Sequence, residues 1–355
     1  MENRKGKNVV IYKKKGVYAC FPSLLKLEGD ALITNFNTKI RRSHIDPTGG
    51  SKKMVSYDGG LTWSETQNKF INPKYRTSEG ILVRAGAKGW RYVSSSQKES
   101  LTKEGRYIRN VRKGVIAYLS PNYYRSISTD NGTAWKTEII KTPEYILGLM
   151  GFNESSYLVT SKGVRLVGVY GKKEGREIDE TSFIRSVFFL RSTDQGKTWQ
   201  FISLLSSISK EIGFGETSLI ETANRKILAM MRSQPEGYLW QSFSNDEGLT
   251  WSEPEKTSMY GHPANLLNLS DGKILCTYGY RMPPMGIRAC LSIDNGKTWQ
   301  IENEYILRAD GQGSPGNLGY PISVLLSDDS IFTIYYITLE DGITYIAGTK
   351  WQIER

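Results

Sequence analysis

The sequence predicts an all-β chain, a six-bladed β-propeller of four-stranded antiparallel blades. Three observations point there: five copies of one octapeptide, a near-regular interval between them, and no sustained helical period anywhere. The copies are SYDGGLTW from Ser56, STDNGTAW from Ser128, STDQGKTW from Ser192, SNDEGLTW from Ser244 and SIDNGKTW from Ser292. They share S-x-D-x-G-x-T-W, and one core position departs, Ala134 in place of threonine.

Each copy has the chemistry of a tight hairpin turn. The Asp carboxylate accepts backbone N–H bonds, the next residue tolerates turn geometry, Gly takes a positive φ, and Trp packs its ring between neighbouring sheets. Asp58, Asp130, Asp194, Asp246 and Asp294 are therefore structural, not catalytic acids. The starts lie 72, 64, 52 and 48 residues apart (128 − 56, 192 − 128, 244 − 192, 292 − 244), which suits one four-stranded sheet per repeat. Strands are expected over residues 186–191, 226–231, 274–280 and 330–337. One-sixth of 355 residues is about 59 per blade, so the last blade carries no octapeptide. It closes the ring by pairing the C-terminal strand with one near residues 9–12. A single domain over 1–355 is expected.

Composition agrees. Glycine (35) and tyrosine (21) are plentiful, as short strands, tight turns and an aromatic-lined site require. No run approaches the ~18 apolar residues of a membrane helix, and residues 1–15 hold no apolar stretch of signal-peptide length, so a cytoplasmic protein without membrane attachment is expected. Cys20, Cys276 and Cys290, odd in number and widely spaced, read as free thiols. No His/Cys/Asp cluster has metal-ligand spacing, and no metal or other cofactor is expected.

The formal net charge of +11 is concentrated in two stretches. Residues 1–15 carry six bases and one acid; residues 84–125 carry ten bases and two acids. The rest is nearly neutral. A solvated tail and face is one account; a positive potential that gathers anionic substrates is the other. No nucleic-acid-binding motif is visible and the bases do not line a helix, so nucleic acid is not an expected partner.

The octapeptide is similar to the Asp-box of the sialidase (neuraminidase) superfamily, and the resemblance runs through essentially the whole chain. It implies the sialidase fold and, residue by residue, a site. GFGETSLIETANRKILAMMRS resembles the family's unit of a Glu in a turn followed by a strand that ends in an Arg, which places Glu216 and Arg232. MGIRACLSIDNGKTW resembles the stretch with a carboxylate-binding Arg just before an Asp-box, which places Arg288. NLGYPISVLLSDDSIFTIYY offers Tyr320 as the nucleophile that Glu216 would activate. The loop IRRSHIDPTGGSKK offers Asp46 and His44 as the general acid, with Arg41 beside them. Arg41, Arg42, Arg84 and Arg281 are candidates for a further carboxylate contact. His262, in GHPANLLNL, is placed beside the pocket.

One departure stands out. Where the family opens its first blade with an Arg, this chain has Cys20 before Phe21-Pro22, and where the family has the Glu that orients that Arg, it has Tyr335 or Tyr336. Arg and Glu are absent together, as the cost of an unpaired buried carboxylate requires.

The resemblance implies a retaining exo-glycoside hydrolase that removes a terminal acidic sugar, sialic acid or a relative, with an acidic carbohydrate as its partner. The alternatives are a polysaccharide lyase or glycosidase acting on a uronic-acid-containing glycan, and a non-catalytic glycan-binding propeller.

Overall fold

A computed structural model of the chain describes residues 6–40, 48–68, 70–87, 89–151, 154–177, 183–312 and 318–353. These are all-β with antiparallel sheets; the one α-helix among them is the six-residue Lys98–Lys103. No helix among them is long and apolar enough to cross a membrane.

The repeats fold as their chemistry dictates. In the copy at Ser244 the hydroxyl donates to Asp246 Oδ1 (2.8 Å) and accepts from Gly248 N (2.8 Å). The same carboxylate accepts from Thr250 N (2.9 Å) and from the Thr250 hydroxyl. Glu247 and Gly248 are both left-handed, φ 58° and 86°, and Asn131, Gln195 and Asn295 repeat that geometry in their own copies. Glycine is demanded twice over at Gly60. Its φ is +91°, and a Cβ there would lie 2.3 Å from the Phe332 ring of a neighbouring sheet. Ala134 lacks the hydroxyl that would bind Asp130, and its backbone N–H is shared between both carboxylate oxygens instead (2.9 and 3.0 Å).

Two compact units contain the sheets. The first gathers the described residues of Met1–Phe70, Thr222–Asn224 and Thr257–Arg355. One of its sheets orders Lys7–Tyr12, Thr344–Trp351, Ile331–Thr338 and Gly319–Leu325, so the strands nearest the two chain ends pair, Val9 with Gly348 and Val10 with Ala347. A second contains Tyr18–Cys20, Leu32–Lys39, Gly50–Ser56 and Ser64–Glu65, and a third Ala264–Asn268, Ile274–Tyr280, Met285–Ser292 and Tyr305–Gly311. Alternation along Ile331–Thr338 serves two cores. Phe332, Ile334 and Tyr336 pack with Cys20 and Phe36, whereas Ile331, Tyr335 and Ile337 pack with Leu275 and Tyr345.

The second unit comprises Ile71–Glu221 and Arg225–Lys256. Its sheets include Lys136–Ile140, Tyr123–Ser128 and Leu82–Ala87; then Ile146–Gly151, Arg165–Glu177, Phe183–Ser192 and Gln200–Leu205; then one led by Gly213–Glu221, Ile227–Gln234 and Tyr238–Ser244. A small sheet of Trp90–Ser94, Val115–Leu119 and Ile108–Arg112 is inserted between Leu82–Ala87 and Tyr123–Ser128. This insertion lengthens the first interval between octapeptides and carries most of the basic stretch 84–125. Its Arg109 guanidinium lies over the rings of Trp90 and Tyr107.

Cys20, Cys276 and Cys290 are free and buried. Cys276 and Cys290 are cross-strand neighbours, and burial pushes the Cys20 thiol up to about 12 against the pull of Lys39.

Candidate active site

Glu216 owes its position to an irregular strand. Pairing of Gly213–Glu221 with Ile227–Gln234 runs Phe214 to Ser233, then resumes at Thr217 with Met231. Gly215 and Glu216 fall in the shift, and such a break re-aims a side chain. Glu216 meets Arg232, whose Nη1 lies 3.3 Å from Oε1 and 3.4 Å from Oε2. Both side chains are nearly enclosed, at 7% and 11% exposure, so the ion pair is little screened by water.

Two residues that no motif announced complete this cluster. Tyr170, on Arg165–Glu177, has its phenol in the electrostatic reach of Glu216. Burial pushes the phenol well above its ordinary range, and the Glu216 charge adds to this, against Arg185 and Arg232. Arg185, on Phe183–Ser192, sits over the Tyr170 ring, 5.8 Å from its centroid. Neither stands in a recognisable pattern; the pairing of those two strands brings them to each other, and packing of their sheet against the one that starts with Gly213–Glu221 brings them to Glu216.

In the first unit Tyr320 follows Gly319, and both are left-handed, φ 51° and 114°. Glycine is obligatory at 319, because a Cβ would lie 2.6 Å from the His262 carbonyl oxygen. His262 thus contributes its backbone to this packing, while its ring meets Tyr260 edge to face at 5.2 Å. Arg281 is buried and donates from Nε and Nη2 to the Leu318 carbonyl, 3.2 and 2.9 Å, two residues before Tyr320. It acts on the Tyr320 turn directly.

Arg288 is buried against its own protein. Nη1 donates to the Arg308 carbonyl (2.6 Å), Nη2 to the Pro284 carbonyl (3.0 Å), Nε lies 3.4 Å from Glu304, and the guanidinium covers the Tyr280 ring at 4.7 Å. A guanidinium has five N–H donors, so this set leaves about two for a ligand. Glu304 also accepts from the Tyr278 hydroxyl.

Cys20, fully buried, lies in an aromatic cluster with Tyr18, Phe21, Tyr320 and Tyr336. Of the two tyrosines that could stand for the family's Glu, Tyr336 faces this cluster. Tyr335 points to the opposite core, where its hydroxyl accepts from Arg308 Nη1 (3.3 Å). Arg41, Arg42, His44 and Asp46 lie outside the described residues. Among the described residues no group of three or more His, Cys, Asp or Glu side chains could hold a metal ion.

Residues 107–334 match the BNR repeat-like domain, nearly two-thirds of the chain. The chain belongs to this family. Solved structures share the fold over nearly the whole length. A protein of unknown function from Dyadobacter fermentans is 26% identical, with 99% of each chain covered and a TM-score of 0.79. The NanB sialidase of Streptococcus pneumoniae is 12% identical, with 97% of this chain and 70% of that one covered and a TM-score of 0.60. An α-L-arabinanase of Penicillium chrysogenum is 12% identical, with 98% of each chain covered and a TM-score of 0.57. Among curated protein sequences none matches. This BNR chain therefore shares its fold with glycoside hydrolases that act on different sugars. Within that fold, Cys20 and Tyr336 share an apolar cluster where the sequence resemblance implies an Arg–Glu pair.

Proposed function

We propose that the chain is an exo-acting glycoside hydrolase of the sialidase type, a six-bladed propeller that releases a terminal acidic sugar with retention. Five octapeptide-bearing sheets and the sheet joining the chain ends would be its blades. Tyr320 attacks the anomeric carbon and Glu216 takes the phenolic proton. A neutral phenol is a better attacker than a carboxylate when the substrate is itself an anion. The acid comes from the loop holding His44 and Asp46.

The observation that carries this reading is the backbone of Tyr320. A bulky residue at φ 51° is a genuine outlier, and such strain persists where the surroundings over-determine it, often at sites of chemistry. Here Gly319 packs on His262, and Arg281 grips the Leu318 carbonyl. Cys20 in place of the family's first Arg leaves the carboxylate to fewer guanidinia, which fits an acidic sugar other than the common sialic acids.

The test is a panel of sialyl, glucuronyl and neutral aryl glycosides, with wild type and Tyr320→Phe side by side. Cleavage of an acidic glycoside that falls by orders of magnitude in the folded variant supports the proposal. Preference for a neutral glycoside, or full activity in Tyr320→Phe, overturns it. New ultraviolet absorbance from an unsaturated product would identify a lyase instead.

A further inference from the structure

We propose that Arg185 is an anion-binding residue: with Arg232 it takes the oxyanion of a sugar ligand, a carboxylate or a sulfate. The inference rests on the reading that Glu216 marks the ligand site.

Arg185 stands out by what it lacks. Its side chain is half-buried, yet among the described residues no carboxylate lies within ion-pair distance of it. Four other arginines of the same unit are engaged. Arg165 donates to the Arg76 carbonyl, Arg176 to the carbonyls of Ser207, Ser209 and Ile212, Arg191 to that of Glu247, and Arg232 to Glu216. Among the described residues Arg185 has only the face of Tyr170. Withdrawing a guanidinium from water without a counter-ion is unfavourable, and a bidentate oxyanion is the partner its planar fork fits.

Its position is the second observation. The point that a Cβ on Gly215 would occupy lies 3.9 Å from Arg185 Nη1, from the Arg232 carbonyl oxygen and from a Tyr170 ring carbon. Arg185 therefore reaches the same bulge that presents Glu216. Among the described residues the cluster holds two guanidinia, Arg185 and Arg232, against one carboxylate, Glu216, and so has one positive charge to spare. Tyr170 pre-organises that charge by placing its ring beneath the Arg185 guanidinium. A ligand oxyanion entering beside Gly215 meets Arg185 without displacing an existing ion pair.

The experiment is a binding titration of the full chain with N-acetylneuraminic acid, glucuronic acid, glucose 6-sulfate and galactose. It compares wild type, Arg185→Met and Arg185→Lys, each checked by thermal melting. Arg185→Met is expected to weaken the preferred anionic sugar by about tenfold or more and to leave galactose unchanged, because a desolvated charge contact is lost. Arg185→Lys, which keeps the charge but not the fork, should fall between, and it carries the test if the methionine variant does not fold. Which sugar responds distinguishes carboxylate from sulfate. Wild-type affinity for the anionic sugar in both variants, or no preference of the wild type for any anionic sugar, overturns the proposal. Binding that depends on Arg185 in a protein that cleaves no glycoside would sink the hydrolase reading and leave this one standing.

Discussion

Phe21 and Tyr320 meet edge to face with ring centroids 4.8 Å apart, and both hold a left-handed backbone, φ 55° and 51°. Each such conformation costs roughly 1–3 kcal/mol in a residue with a Cβ. Both rings also pack on Tyr336, at 5.5 and 5.9 Å, and this burial offsets the strain. The aromatic cluster, together with Arg281 and the Gly319 contact, holds the Tyr320 turn.

Gly319→Ala should therefore be harmful out of proportion to its size. The new methyl meets the His262 carbonyl at 2.6 Å with φ at +114°. A loss of about 1–3 kcal/mol is expected. Urea unfolding measures it, and wild-type stability would show that the turn is free to relax.

Arg232→Met removes the guanidinium from a nearly enclosed carboxylate. Breaking a buried pair from one side costs about 3–5 kcal/mol, because the remaining charge has lost its partner. Glu216→Gln in the same background should recover part of that loss. Denaturation of the single and double variants measures the coupling, and simple additivity would mean that the two groups do not act as a pair.

The octapeptide turns should make stability acid-sensitive. Burial tends to raise the Asp58 carboxyl, but bonds from Thr62, Ser56 and Leu61 outweigh it and bring it from 3.8 to about 2. A carboxylate depressed in the folded state stabilises above its unfolded value, and that contribution is lost as pH falls from about 4 to about 2. Asp58→Asn should thus lower the melting temperature at pH 6, with the gap to wild type closing toward pH 2. A gap independent of pH would remove the carboxylate from the account. In the buried part of such a turn, Ser244→Ala leaves Gly248 N unsatisfied, and about 1–3 kcal/mol should be lost.

If the loop holding His44 and Asp46 carries the general acid, the leaving group reveals it. An acid matters for a poor alcohol leaving group and little for a good aryl one. The variant that removes it, His44→Ala or Asp46→Ala, should lose activity on a natural glycan far more than on an activated aryl glycoside. Full activity of both variants on the glycan would place the acid elsewhere.

The sequence by itself determined what is local. The octapeptide works through bonds spanning two to four residues, so its repetition was enough to locate five turns, the strands beside them and the structural role of Asp58, Asp130, Asp194, Asp246 and Asp294. Glu216 and Arg232 were singled out by the resemblance of their stretch to a family motif, and one hairpin sets their spacing. The tertiary structure decided what depends on contacts between strands distant in sequence. It chose Tyr336 over Tyr335 as the residue facing Cys20, because a strand's alternation shows which side chains share a face but not which core each face meets. It joined Tyr170 and Arg185 to Glu216 by one strand pairing and the packing of two sheets, and it turned Arg281 onto the Leu318 carbonyl. Such contacts arise from register and packing, which no short motif records.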